Sequence, residues 1–494
     1  MRLWTIVSAF SVPFLLQLGC NGGSTMPTIN PTAGQDSAKP PVLTLACSDV
    51  AFAALLKERV GGWAGKTASV RVVADKLTAV PDADLVVIPA NGFGAAAEAG
   101  EFSVIPEALR ASDHPLQRNR IVESYRDTLT GWAGDVQSLP LRGDGFVLIH
   151  RADRFNDPKA KAEYQRKFGR SLLPPRTWED LTELARFFTE LDGKPCLPPL
   201  PADREAFLTL VAQISACYDR PARKEGSAAD AAAGVSFLVD LRTGKPRLTA
   251  PGFRAAVERL AALAKYRRPP TEIEGKDPIA SLEDGALMAV VDLRVVGRLP
   301  KDATTGAVQA RFEPAPMLGT ESCFDAAGVL RKAGPEGNYV PYLGGTTRIG
   351  AVLKSSKHQD IAWAILATAA APAGSLALVG DPSVGSGPFR REHMDDVRTA
   401  VWLGYRFDEP GTRRLAAAMR AYPALDVLNP VTTLRLPDIE ARYAAIEPPL
   451  RLGAEGKTSS EAAVRNANTA WETIDATLPT DVRERRLRHA TGTK

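Results

Sequence analysis

Few segments of this 494-residue chain have the residue types and spacing that chemistry needs. Gly61-Gly62-Trp63-Ala64-Gly65-Lys66-Thr67 has the composition of a phosphate loop. A Gly-x-x-x-x-Gly-Lys-Thr loop would need glycine where the chain has Val60, and it follows a strand rather than a helix. The segment therefore reads as a helix stop and turn. No Gly-x-Ser-x-Gly elbow offers a nucleophilic serine. The five histidines, at 114, 150, 358, 393 and 489, are not paired at metal-ligand spacing, so no metal or cofactor is expected. Carboxylate pairs such as Asp438 and Glu440 occur in any chain this long, and they leave a glycosidase open. Of the cysteines at 20, 47, 196, 217 and 323, no two stand as Cys-x-x-Cys, which excludes a zinc ribbon or a thioredoxin-like motif. Cys196 and Cys217 suit either a disulfide or two buried thiols, because spacing carries no geometry.

The 61 basic residues nearly balance the 57 acidic ones, giving a net charge of +4. With no basic stripe and no aromatic RNA-binding motif, a nucleic-acid partner is not indicated. The length exceeds what one hydrophobic core supports, so two or three units are expected.

The N-terminus carries an export pattern. Met1-Arg2 supplies one positive charge, and Leu3–Leu18 is almost wholly apolar but too short for a typical membrane span. It ends in Leu16-Gln17-Leu18-Gly19-Cys20, which resembles a bacterial lipobox with Cys20 as the lipid attachment site. Gln17 departs from the aliphatic residue usual there, and an ordinary signal peptide with an incidental cysteine is the alternative. Residues 1–20 are thus expected as a lipoprotein signal peptide. Residues 21–41, rich in Gly, Ser, Thr, Asn and Pro, are expected as a flexible tether. The protein is then a membrane-anchored one facing the periplasm or exterior.

Beyond the tether, Val42–Ala46 reads as a strand. A helix with Phe52, Leu55, Leu56 and Val60 at helical spacing follows, ending at Gly61-Gly62. Ser69–Ala74 and Leu85–Ile88 are further strands. Strand, helix, strand, strand at this spacing predicts an open α/β sheet. Ligands of such sheets bind beyond the carboxyl ends of the strands. That singles out Ser48, Asp49, Ala90 and Asn91, each of which also suits a helix cap or turn. Thr177 opens a strong helix ending at Gly193, and Leu287–Leu293 and Ile349–Leu353 are strands.

Several segments together resemble the extracellular solute-binding proteins of sugar-type ABC importers, the family that includes maltose-binding proteins. Ala97–Phe102 is similar to the end of that family's early helix. Leu139–Phe155 is similar to its crossover strand and the Arg-x-Asp-x-Phe after it, and Pro175–Leu181 to its Pro-x-Thr-Trp-Glu-Glu helix start. Ser281–Met288 is like the return strand, Gly344-Gly345 with Ile349–Val352 like the second crossover, Ala362–Leu366 like the helix after it, and Lys457–Trp471 like the closing helix. The resemblance covers most of Val42–Ile474.

It implies an α/β fold of the two-lobed periplasmic-binding-protein type with crossing hinge strands. Residues 42–141 and 285–343 are expected in lobe 1, and 142–284 and 344–494 in lobe 2. It implies a non-enzymatic carrier that traps a small polar solute, a sugar in the family's usual habit, and docks on ABC permease subunits. A secreted, surface-anchored enzyme acting on carbohydrate is the competing reading. The site residues expected from strand ends and the resemblance are Asn91, Asp144, Asp292, Arg294, Tyr342 and Arg348. Aromatic residues usual on the return strand and after the Gly-Gly are missing. Arg294 and Arg348 stand there instead, suited to an anionic solute, to solvent or to bridging the lobes.

Overall fold

Val42–Cys47 alternates little and buries Leu43, Leu45, Ala46 and Cys47, as a strand covered on both faces must. In the computed structural model, which describes residues 39–74, 82–222, 234–269, 277–325, 327–334, 337–421 and 430–492, it is the second of five strands. The order across this first sheet is Ser69–Ala74, Val42–Cys47, Leu85–Pro89, Arg348–Val352, Leu139–Arg142. The first three run parallel; Arg348–Val352 is antiparallel to both its neighbours. The expected signal segment, Cys20 and nearly all of the expected tether lie outside the described residues.

Asp49 starts the helix Val50–Ala64 by accepting from the Phe52 N–H at 3.1 Å. This helix does not stop at Gly61-Gly62 as the sequence suggests. It runs through both glycines, buries Val60 and Ala64, and ends at Gly65, whose φ of 58° suits glycine. Burial of those two side chains outweighs the roughly 1 kcal/mol that each mid-helix glycine costs. Trp178–Asp192 begins and ends as expected: Thr177 and Asp180 form a reciprocal capping box, and Gly193 closes it with φ 69°.

The second sheet has Phe146–Arg151 at its centre, flanked by Met288–Asp292 and Phe312–Ala315, both antiparallel to it. This pairing reverses the expected allocation of two segments. Within 285–343, Met288–Asp292 and Phe312–Ala315 lie beside Phe146–Arg151. Within 344–494, Arg348–Val352 lies in the first sheet. Among the described residues, no strand between Phe146 and Leu343 pairs with the first sheet. An apolar strand does not encode which sheet it joins; complementary faces and register decide that.

Helices Gln359–Ala370 and Pro372–Val379 cover the first sheet, burying Trp363, Leu366 and Leu378 there. Among the described residues no single helix is long and apolar enough to cross a membrane; these two, bent at 61°, pass such a test only together. Glu409–Ala421 packs on the second sheet, and Ile439–Ala454 and Ser460–Asp475 pack beside Pro251–Ala264. The last helix, Thr480–Thr491, returns to the other side: Arg486 pairs with Glu98 at 2.8 Å, and His489 O accepts from Ala133 N at 3.1 Å. The four cysteines among the described residues, Cys196 and Cys217 included, are free and buried. Burial pushes the Cys196 thiol up to about 11 and that of Cys217 to about 12.

Candidate functional site

Two glycine-containing segments carry the chain between the sheets, Gly143-Asp144-Gly145 outward and Gly344–Thr347 back. Asp144 is fully buried. Its carboxylate accepts from Gly344 N at 2.7 Å, Thr346 N at 2.6 Å, Thr346 Oγ1 at 3.1 Å, Thr347 Oγ1 at 2.6 Å and Tyr125 OH at 3.0 Å. A third pass closes on the same point, with Gly387 N donating to Gly143 O at 3.0 Å. A Cβ on Gly387 would stand 1.7 Å from Asp144 O, so only glycine lets this strand approach. The sequence places Asp144 among ligand groups. The structure instead spends its acceptor capacity on the chain itself, so it pins the crossing strands.

Beside the hinge, charged side chains from the two sheets face each other. From the first-sheet side come Asp49, at the end of Val42–Cys47, and Arg142 and Arg348, at the ends of their strands. From the second come Asp292 and Arg294, where Met288–Asp292 turns into the short helix Leu293–Gly297, and Glu205, in the first turn of Arg204–Asp219. Arg294 Nη1 donates to Asp49 Oδ2 at 3.0 Å, and Asp292 caps its own helix through Arg294 N and Val295 N at 2.8 and 3.1 Å. Arg142 lies 3.6 Å from Asp49 and 3.9 Å from Asp292, and Arg348 lies 3.8 Å from Glu205. Three ion pairs therefore span the two sides: Asp49–Arg294, Arg142–Asp292 and Arg348–Glu205.

Burial works against the charge on Asp49. The Phe52 N–H and the guanidiniums of Arg294, Arg348 and Arg142 outweigh it and hold the carboxyl below its ordinary range. Burial also disfavours charge on Arg294, yet Asp292 and Asp49 raise its pKa. Arg142 is the reverse: burial, reinforced by the like charges of Arg294 and Arg348, lowers it to about 10. Its side chain is 1% exposed, and none of its three guanidinium nitrogens has a hydrogen-bond acceptor.

Asn91, just past Leu85–Pro89, sits 3.5 Å from Glu440 Oε1, and Glu440 lies 3.7 Å from Arg204. Tyr342 is buried, its hydroxyl 3.5 Å from that of Tyr443, which in turn meets Thr433 at 2.9 Å. Asn91, Glu205, Tyr342 and Tyr443 border a cavity of about 30 Å³, room for a water molecule but not a sugar ring. Tyr342 is thus a packed ring in this conformation rather than an open stacking face. A larger cavity of about 380 Å³ begins at Glu205, Asp292, Arg294 and Thr346 and runs along the second sheet.

Of the six expected residues, Asp292, Arg294 and Arg348 meet in the charged cluster. Asn91 and Tyr342 share the small cavity beside it, and Asp144 belongs to the hinge. Asp49 serves as helix cap and as ion-pair centre at once. Arg142, Glu205, Tyr443 and Tyr125 escape sequence reasoning. Arg142 alone left a trace, as a charged residue closing an apolar strand directly before a Gly-Asp-Gly. Among the described residues no group of three or more His, Cys, Asp or Glu is placed to hold a metal ion.

No protein-family model matches the sequence, and no curated protein matches it. Solved structures do match the fold. A maltose-bound MalE3 from T. maritima superposes with a TM-score of 0.58 at 14% identity, over 88% of this chain and 100% of its own. The cyclic α-maltosyl-1,6-maltose binding protein of Arthrobacter globiformis gives 0.60 at 15%, over 88% and 99%. The ABC substrate-binding protein Lmo0181 of Listeria monocytogenes, in complex with cycloalternan, gives 0.60 at 13%, over 88% and 99%. With two sheets joined by crossing strands and nearly the whole length of each neighbour matched, this chain has the two-lobed α/β fold of the MalE-like periplasmic binding proteins.

Proposed function

We propose that the chain is an extracytoplasmic solute-binding protein that captures a carbohydrate or similar polar solute between its lobes and hands it to an ABC importer. The observation that carries this reading is the set of three ion pairs spanning the lobes next to a pinned hinge. Planar charged groups at such a place can exchange their mutual contacts for the hydroxyls of a solute, and that exchange couples binding to hinge motion. The neighbours bound to maltose and cycloalternan support a saccharide as the solute. In this reading the protein is a carrier, not an enzyme. The first sheet with helices Val50–Ala64, Gln359–Ala370 and Pro372–Val379 forms the first lobe, and the second sheet with helices Arg204–Asp219, Pro251–Ala264, Glu409–Ala421, Ile439–Ala454 and Ser460–Asp475 the second. Asn91, Asp292, Arg294, Tyr342 and Arg348, joined by Asp49, Arg142 and Glu205, are the groups a solute would meet. Cys20 carries the lipid that holds the protein at the outer face of a membrane, close to the permease subunits.

The test is a thermal-shift and calorimetric screen of the secreted domain against neutral sugars, polyols and organic anions. A cognate solute at a hundredfold excess over Kd stabilises by about 2.7 kcal/mol. A saccharide giving this shift without turnover is the expected result. Hydrolysis of a glycoside by the purified chain would overturn it in favour of the enzyme.

A further inference from the structure

The 380 Å³ cavity is of small-molecule size. Its mouth is polar: Glu205, Asp292, Arg294 and Thr346 stand where the lobes meet. Its walls are mostly apolar. Leu148 and Met288 of the second sheet, Trp178, Leu210 and the Pro198–Pro201 segment line it, with Gln213, Ser281 and Arg267 as polar exceptions. A sugar ring inside would leave most of its hydroxyls against apolar groups, which is unfavourable for each one unpaired. An apolar body has no such cost and gains by leaving water. Glu205 borders both this cavity and the small one with Asn91 and Tyr342, so polar cluster and apolar cavity are continuous. Charge then decides the head group. Of the two cations that line the cavity, Arg294 is already bonded to Asp49 and Asp292, and Arg267 donates to Pro198 O at 3.1 Å. A third carboxylate, as on a fatty acid, would meet two of its own sign, so a neutral hydroxylated head fits better.

We propose that the solute is a glycoside with an apolar alkyl or aryl aglycone, its sugar held at the charged cluster and its aglycone in this cavity. The proposal rests on the reading of the cleft as a saccharide site. It is tested by calorimetry on the full mature chain, comparing the methyl, octyl and 4-nitrophenyl glycosides of each sugar, below any micellar concentration, with decanoate alongside. The octyl or nitrophenyl glycoside of at least one sugar should bind at least about tenfold more tightly than its methyl counterpart. Ala206→Trp, which fills the cavity from helix Arg204–Asp219, should bring that ratio close to one. Val290→Phe, from the opposite wall, does the same should the first variant fold poorly. Equal affinity for methyl and octyl forms overturns the proposal and leaves the saccharide reading standing. A tenfold ratio untouched by either folded variant places the aglycone elsewhere and also overturns it. Binding of decanoate with no glycoside bound, or no binding at all, removes both.

Discussion

Thr347 donates its hydroxyl to Asp144 at 2.6 Å, across 203 residues of sequence. The contact ties the returning strand to the outgoing one at the point where both leave the first sheet. Gly344 and Thr346 make the same connection through their backbone N–H groups, so one buried carboxylate fixes the relative position of two crossings.

Replacing Asp144 with Asn puts an N–H₂ group where donors converge and removes the charge that holds them. Each buried donor left without an acceptor costs about 1–3 kcal/mol. Tyr125→Phe removes a single donor and should cost about 1–3 kcal/mol by leaving Asp144 N unpaired. Urea unfolding measures both. An Asp144→Asn cost below 1 kcal/mol would refute the pinning role.

The pair Asp49–Arg294 holds the lobes together without solute. Arg294 is about one-third exposed, so solvent screens the pair. A double-mutant cycle with Asp49→Asn and Arg294→Ala should give a coupling of about 1 kcal/mol. Each single variant should also show a larger radius of gyration by X-ray scattering in the absence of solute. The folded pKa of Asp49 lies below the unfolded value near 3.9. Its contribution is therefore complete above about pH 4 and disappears as pH falls through the folded value. An Asp49→Asn variant whose radius of gyration at pH 7 equals the parent's contradicts this.

His150, on the central strand of the second sheet, is held down to about 4 by burial and by Arg414. Its folded pKa is depressed below the unfolded value near 6.5, so the folded state prefers the neutral ring. The stability it contributes is present above about pH 6.5 and is lost as pH falls towards 4, by about 3 kcal/mol in all. His150→Phe should flatten that part of the stability–pH curve. The check is urea unfolding from pH 7 to 4 on both proteins; parallel curves would show that another group titrates.

The lipid anchor is tested in cells. Cys20→Ala should move the protein from the membrane fraction to the soluble one, because a single covalent lipid is then absent. Equal retention of variant and parent in the membrane fraction would remove Cys20 from the account.

Local chemistry was readable in the sequence by itself. Thr177 and Gly193 bound a helix because a hydroxyl satisfies free N–H groups and glycine tolerates positive φ. The strands from Val42 to Pro89 show as apolar runs at α/β spacing, and the ordered motifs from Leu139 to Trp471 point to two lobes. What the tertiary structure decided depends on partners remote in sequence. Met288–Asp292 pairs with Phe146–His150 rather than with the first sheet because strand pairing selects complementary faces, which no single strand specifies. Asp144 was expected among the ligand groups, yet the donors that claim it come from positions 344, 346 and 347. Arg142 and Glu205 join the site only because the crossing brings a strand end and a helix start within 4 Å of charges far along the chain. Hydrogen bonds and ion pairs act over a few ångströms of space whatever the separation in sequence, so the elements could be read from local residue types, and the site only after the chain had folded back on itself.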